Sequence, residues 1–165
     1  YVGIQIHGQG LETTLAQVAH EELGIAVEKV TVRHGDSSVS PYGMGTGSSR
    51  IRTISGGAVS TACRQLAEKI RAIGAHMMKV PLETVSLLGG AVVSGAQHVS
   101  FAAVAEAAYL HPERLPGGME PALEASVVYE PAQSSGAAES SANDLGIERT
   151  KSSSTTMELE YPPNV

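Results

Sequence analysis

Val2, Ile4 and Ile6 alternate with Gly3, Gln5 and His7 over the first seven residues, which predicts a half-buried strand. From Leu11 the rhythm changes. Leu11, Leu15, Val18 and Leu23 recur at near-helical spacing, and Gly24 follows as a C-cap. Val27, Val30 and Val32 lead into a second strand over 29–34, giving strand, helix, strand within about thirty-five residues, a span that either a parallel crossover or an antiparallel return fits. The longest helical pattern comes next. Val59, Ala62, Cys63, Leu66, Ile70, Ile73 and Met77 form one apolar stripe, with Arg64, Glu68, Lys69 and Arg71 outside it. Ser55 is expected to cap its start, and Pro81 lies beyond its end.

Short strands follow. Val85-Ser86-Leu87-Leu88 and Ala91-Val92-Val93-Ser94 flank Gly89-Gly90, the pattern of a two-residue hairpin. Ser100 then caps a short helix from Phe101 to Leu110, a turn forms over 115–118, and alternation from Leu123 to Tyr129 predicts a last strand. The expected fold class is α/β, with α+β left open, over a domain spanning residues 1–131. Residues 132–156 are dominated by Ser, Ala, Thr and Gly with only Leu145 and Ile147 as large apolar groups, so 132–165 is expected to be a flexible tail. Within it, 157–161 could pair as an edge strand before Pro162-Pro163 stops it.

Charge narrows the partners. A net charge of -6 with 17% charged residues argues against a nucleic-acid or anionic-membrane surface. The single Cys63 lies beside the apolar stripe, which suits a buried structural thiol, and no disulfide can close within the chain. No run of eighteen apolar residues predicts a membrane span, and cysteine use is compatible with the cytoplasm. The chain opens inside a strand without a methionine, as a piece cut from a longer protein would.

Two turns carry the candidate chemistry. Gly8-Gln9-Gly10 sits where the first strand meets the first helix, whose opening amides have no partner within the helix. Glycine lets the backbone approach a guest closely, and an anion suits such amides, although a purely structural turn has the same composition. Pro41-Tyr42-Gly43-Met44-Gly45-Thr46-Gly47-Ser48-Ser49-Arg50 is the second, rich in glycine and hydroxyls ahead of the long helix. Either turn alone is weak; together they could converge on one ligand.

With Gly8-Gln9-Gly10-Leu11-Glu12-Thr13-Thr14, His34-Gly35-Asp36 and the 41–50 motif in this order, the chain resembles the molybdenum-binding large subunit of the xanthine dehydrogenase, aldehyde oxidase and carbon monoxide dehydrogenase family. Residues 101–105 and 115–120 look like that family's continuation. The resemblance implies binding of molybdopterin, often extended as the cytosine dinucleotide, by Gly8, Gln9, Gly10, Thr46, Gly47, Ser48, Ser49 and Arg50. For Arg50 a surface ion pair is the alternative to a phosphate contact. It also implies an oxidoreductase acting on aldehydes, purines or other N-heterocycles, or carbon monoxide, with FAD and 2Fe-2S centres on partner subunits or domains and the rest of the large subunit completing the site. The family's glutamate base, in a glycine-rich motif far downstream, has no counterpart here. Gly146-Ile147-Glu148 stands at the wrong distance, so no catalytic residue is assigned. The rival expectation is a truncated, non-catalytic relative that folds without cofactor.

Other constellations are weaker. The six histidines show no metal-ligand spacing on one helix face, so no metal ligand is assigned; His20-Glu21 reads as a solvated face. His34, Asp36 and a nearby serine could imitate a hydrolytic triad, but nothing resembles a nucleophile elbow.

Overall fold

The computed structural model describes residues 1–40, 43, 45–47, 50–129 and 153–158. It is a mixed assembly of helices and small antiparallel sheets packed around one long helix. α1 spans Leu11–Leu23, α2 Arg50–Met78 and α3 Phe101–Leu110; β1 (Ser86–Leu88), β2 (Ala91–Ser94) and β3 (Gln97–Ser100) form one sheet, and β4 (Glu124–Tyr129) with β5 (Ser153–Glu158) a second. The α+β form of the expectation is therefore the one realised.

The apolar stripe of α2 is the spine of the core. Val59, Ala62, Cys63, Leu66, Ile70 and Ile73 are buried, and Leu11, Leu15, Ala19 and Leu23 of α1, Val92 of β2, Val104 of α3 and Ala125 of β4 belong to the same cluster. Glycine sets two of these approaches. A Cβ on Gly74 would lie 2.6 Å from a Val92 methyl, and one on Gly57 would strike the Tyr129 ring. Burial pushes the Cys63 thiol up to about 12, with Glu22 adding a like-charge contribution, as suits a structural thiol.

α2 begins at Arg50, six residues before the start that a cap at Ser55 would give. Ser55 does not cap it but lies inside it, fully buried, with its hydroxyl unpartnered among the described residues. Ile51 and Ile54 carry the helical rhythm back from Ala58 across the Ser55-Gly56-Gly57 interruption, and packing overrides the poor local propensity. At the other end Lys79 takes a left-handed φ of 57°, and Val80 N–H bonds the Ala75 carbonyl, closing α2 as a Schellman turn before Pro81.

The two expected leading strands collapse to a single parallel bridge, Val2 with His34. Val2 N–H donates to the Arg33 carbonyl and Gly35 N–H to the Ile4 carbonyl, but Ile4 N–H turns back onto the Val2 carbonyl and interrupts any longer ladder. A 3-10 turn at Val27–Lys29 shortens the second segment. The crossover through α1 is parallel, which spacing had left open.

Hairpin geometry follows the sequence pattern closely. Leu88 pairs with Ala91 across Gly89 and Gly90, at φ of 60° and 79°. β3, absent from the sequence reading, pairs with β2 through a turn at Gly95-Ala96. Ser100 caps α3, its hydroxyl accepting from Ala103 N–H. β5 lies wholly within the 132–165 stretch expected to be flexible, the rest of which is outside the described residues, and it begins four residues before the expected edge strand at 157–161; Ala125 faces Met157 and Tyr129 faces Ser153 in its antiparallel register with β4.

Candidate functional site

The Gly8-Gln9-Gly10 corner is built for exposed amides. Gly8 and Gly10 adopt φ of 91° and 71°, and a Cβ on either would meet nothing within 4 Å. Gly10 is the left-handed N-cap of α1 and offers no side-chain cap, leaving the opening amides of that helix free for an outside acceptor. Among the described residues, the amides of Gly8, Gln9 and Gly10 donate no hydrogen bond. Successive unclaimed N–H groups around left-handed residues form an anion-accepting concavity.

Gln9 is oriented by its own backbone. Its Oε1 accepts from His7 N–H at 2.6 Å, so the amide NH2 is the group left for a guest. Thr14, one turn into α1, donates both its N–H and its hydroxyl to the Gly10 carbonyl at 3.2 Å, leaving hydroxyl lone pairs available. Behind the corner, His34 Nε2 meets Glu12 Oε1 at 3.1 Å and ties the start of α1 to the segment that bridges Val2. His34 Nδ1 is buried with no hydrogen-bond partner among the described residues.

The glycine and hydroxyl loop is held against the same corner. Gly43 crosses Gly3 so closely that a Cβ would overlap the Gly3 carbonyl oxygen, and the Thr46 hydroxyl bonds the Gln5 carbonyl. Gln9, Thr46 and Gly47 consequently line one cleft of about 520 Å³, together with His7, Thr14 and Arg52. Gly8 and Gly10 are not among the residues that line it; they flank Gln9 in the chain. Ser48 and Ser49 lie outside the described residues, and of Arg50 only its place as the first residue of α2 is described.

Arg52 lies outside both sequence motifs, and Thr14, which closes the first, carries no assigned role there. Arg52 is exposed, reaches the cleft from the first turn of α2 and makes no ion pair among the described residues. In the sequence Arg52 stands two residues past the motif that ends at Arg50, on the same helix start. Other candidates dissolve. Asp36 accepts from Ser38 N–H and Oγ, which hold its carboxyl below the usual range, and His34 faces Glu12 instead, so no His-Asp-Ser relay forms. His20 Nδ1 contacts the Ile25 carbonyl, and no group of three metal-ligating side chains occurs among the described residues. No described helix is long and apolar enough to cross a membrane.

A cleft that holds an oriented carboxamide, a hydroxyl and a guanidinium with no ion pair among the described residues, beside a turn of unclaimed amides, can receive an anionic, hydrogen-bonding ligand. Residues 1–149 match the family described as the molybdopterin cofactor-binding domain, and the chain belongs to that family. Among particular relatives, it is 36% identical over 130 residues to the carbon monoxide dehydrogenase large chain of Hydrogenophaga pseudoflava, covering 79% of this chain and 16% of that one. It is 41% identical over 125 residues to the nicotine 6-hydroxylase large subunit of Paenarthrobacter nicotinovorans, covering 74% of this chain and 15% of that one. Of solved structures, quinoline 2-oxidoreductase from Pseudomonas putida 86 superposes with a TM-score of 0.70 at 29% identity, over 78% of this chain and 17% of that one. The carbon monoxide reduced state of the Cu,Mo-CO dehydrogenase does so with a TM-score of 0.63 at 31% identity, over 72% and 15%. The chain thus spans about one-sixth of the length of these relatives, at 15% to 17%.

The donor set fits the group that this family binds. A pterin edge alternates donors and acceptors, which a carboxamide and hydroxyls can meet, and a phosphate suits unclaimed amides and a guanidinium.

Proposed function

We propose that this cleft is one wall of a molybdopterin site in the large subunit of a molybdenum hydroxylase. The observation that carries the reading is that the Gln9 corner and the Thr46-Gly47 loop, about thirty-five residues apart in the chain, line one cleft at the open start of α1. Gly8, Gln9 and Gly10 present amides and the Gln9 NH2 to the ligand. Thr46 and Gly47 line the cleft from the second loop, the family motif extends the site to Ser48, Ser49 and Arg50, and unclaimed amides with Arg52 suit the cytosine dinucleotide form with its added phosphates. When bound, molybdopterin supplies the metal centre at which a substrate is oxidised.

What these residues do is hold and orient. The left-handed glycines leave the amides of the turn open, with no Cβ at Gly8 or Gly10 to crowd a ligand. His7 N–H fixes the Gln9 carboxamide, so its NH2 meets the ligand without first losing rotamer freedom. The Glu12–His34 link keeps the corner from moving away from the bridged segment.

Kinship extends the proposal to an oxidoreductase acting on an aldehyde, an N-heterocycle or carbon monoxide. Its support is the likeness to the CO dehydrogenase and nicotine 6-hydroxylase large subunits. Flavin and iron-sulfur centres would lie on other subunits or domains, and the remainder of the large subunit would supply the other walls and the catalytic base.

Cofactor extraction tests the reading. Purified complete subunit carrying this domain is expected to release a fluorescent pterin on acid oxidation, and Gln9→Ala to lower pterin content severalfold at unchanged melting temperature. Absence of pterin from the wild-type subunit, or equal loss of pterin and stability in Gln9→Ala, would count against a direct contact.

A further inference from the structure

Ser55-Gly56-Gly57 closes the first two turns of α2 with poor helix formers. Each glycine in a helix interior shifts the local equilibrium about fivefold toward the unwound chain relative to alanine. Gly57 has a packing reason, because a Cβ there would lie 2.4 Å from the Tyr129 ring. Gly56 has none: its φ is not left-handed, and a Cβ on it would meet nothing within 4 Å. Ser55 adds to the weakness. Its hydroxyl is buried without a partner among the described residues, whereas Thr61, further along the same helix, donates its own to the Gly57 carbonyl at 2.8 Å.

We propose that residues 50–56 form a hinged segment, which unwinds at Ser55-Gly56 to open the corner cleft and winds back to close it on a ligand. The inference rests on the cofactor reading of the cleft and adds a movement to it. Ile51 and Arg52, which line the cleft, lie on the hinged side. Behind the glycines the helix is fixed, with Ala58, Val59, Ala62 and Cys63 at most 2% exposed. Ahead of them the large apolar side chains are Ile51 and Ile54, both only half-buried. Poor helix formers and thin burial in one stretch place it at the low end of local stability, and glycine beside serine is where long helices bend.

Both sides of the hinge are bounded. The Tyr129 ring lies against Gly57 and the Thr61 hydroxyl holds the Gly57 carbonyl, so bending is confined to the N-terminal side. On the other side the Thr46 hydroxyl bonds the Gln5 carbonyl and holds the second loop where it stands. Unwinding lets the Ser55 hydroxyl reach water, which offsets part of the helical hydrogen bonding lost. Winding brings the Arg52 guanidinium, which makes no ion pair among the described residues, to the cleft. An anion that meets Arg52 only in the wound form shifts the population toward that form. Ligand entry and exit then pass through the unwound one.

Amide hydrogen exchange of the complete large subunit, isolated with and without its pterin, tests the hinge. Without pterin, the amides of residues 54–57 are expected to exchange faster than those of 62–73. Pterin should slow the first group about tenfold or more, as a ligand at ten times its Kd would, and leave the second unchanged. Gly56→Ala, which has room for its methyl, should slow exchange at 54–57 about fivefold in the pterin-free protein and slow pterin release from the loaded protein by the same factor. Ser55→Ala should act in the same direction by removing the unpartnered hydroxyl. Equal exchange in the two groups without pterin, no response to pterin at 54–57, or no response to Gly56→Ala would overturn the hinge and leave the cofactor reading standing. Faster pterin release from Gly56→Ala would show that the bare glycine makes room for a bound group, and would overturn it too. A wild-type subunit that never carries pterin would remove the cofactor reading and the gating with it.

Discussion

Two glycine turns in this chain share a backbone conformation and differ in what their amides do. At Gly89-Gly90 the left-handed residues close the hairpin; Gly90 N–H donates to the Gly24 carbonyl, and the Gly90 carbonyl accepts from Phe101 N–H. The turn welds the end of α1 to the start of α3, and a Cβ on neighbouring Gly24 would press on the Leu87 carbonyl at 3.1 Å. At Gly8-Gln9-Gly10 the same conformation leaves the amides unclaimed by any described residue, and its surroundings are open. Sequence composition does not separate the two cases. Hydrogen-bond accounting does: a turn whose polar groups are satisfied by the fold serves the fold, and one whose groups point outward awaits a partner.

The largest expected effect falls on the satisfied turn. Gly89→Ala with Gly90→Ala forces two side chains into left-handed geometry, at about 1–2 kcal/mol each, so the pair should cost roughly 2–4 kcal/mol of stability in urea unfolding. Cofactor content of the molecules that remain folded should not change. A pterin loss beyond the unfolded fraction would erase the distinction between the turns. Gly10→Ala comes next. One left-handed alanine should cost about 1–2 kcal/mol, and here pterin content should fall further than the unfolded fraction explains. A smaller effect belongs to Glu12→Gln, which removes the charge facing His34. The Glu12 side chain is 60% exposed, so stability should change by less than about 1 kcal/mol, measured as a shift in the urea midpoint.

Periodicity made the helices and hairpin legible, and glycine with hydroxyl composition made both candidate turns so. Leu11 to Leu23, Gly24 as cap, and the Phe101 helix behind Ser100 all stand where local pattern places them. What stayed illegible depends on contacts distant in sequence. Ser55 reads as a cap because serine is a favoured N-cap residue, and only the half-burial of Ile51 and Ile54 and the full burial of Ser55 carry α2 back to Arg50. The leading strand fails as a ladder because Ile4 N–H turns back onto Val2, which alternation of side chains does not report. For the site, the sequence motifs named Gln9, Thr46 and Gly47, but the Gly43 crossing over Gly3 that brings them together pairs residues forty positions apart. Arg52 was missed because a lone arginine on a helix start has no pattern of its own.

The smallest predicted effect tests whether the two ends of α1 act independently. Far from the corner, Glu22 receives the Arg64 guanidinium on both oxygens at 3.0 Å and the Ser60 hydroxyl at 2.6 Å. The Arg64 hydrogen bond chiefly, aided by Ser60 and the Arg64 charge, outweighs partial burial and holds the Glu22 carboxyl below its ordinary value of 4.5. A depressed folded pKa means that the unfolded chain takes up the proton first on acidification. The contribution of Glu22 is therefore fully present above about pH 4.5 and is lost as pH falls through the lower folded value. Wild type should show an acid limb in stability below pH 4.5 that is shallower in Glu22→Gln, with the two converging toward constant separation at neutral pH. Arg64 is 70% exposed, so that separation should stay within about 1 kcal/mol. Pterin retention at neutral pH should be the same in both proteins. A matching pterin loss in Glu22→Gln would show that the far end of the helix sets the geometry of the corner, and the separation of roles drawn from the two turns would then hold for glycines only.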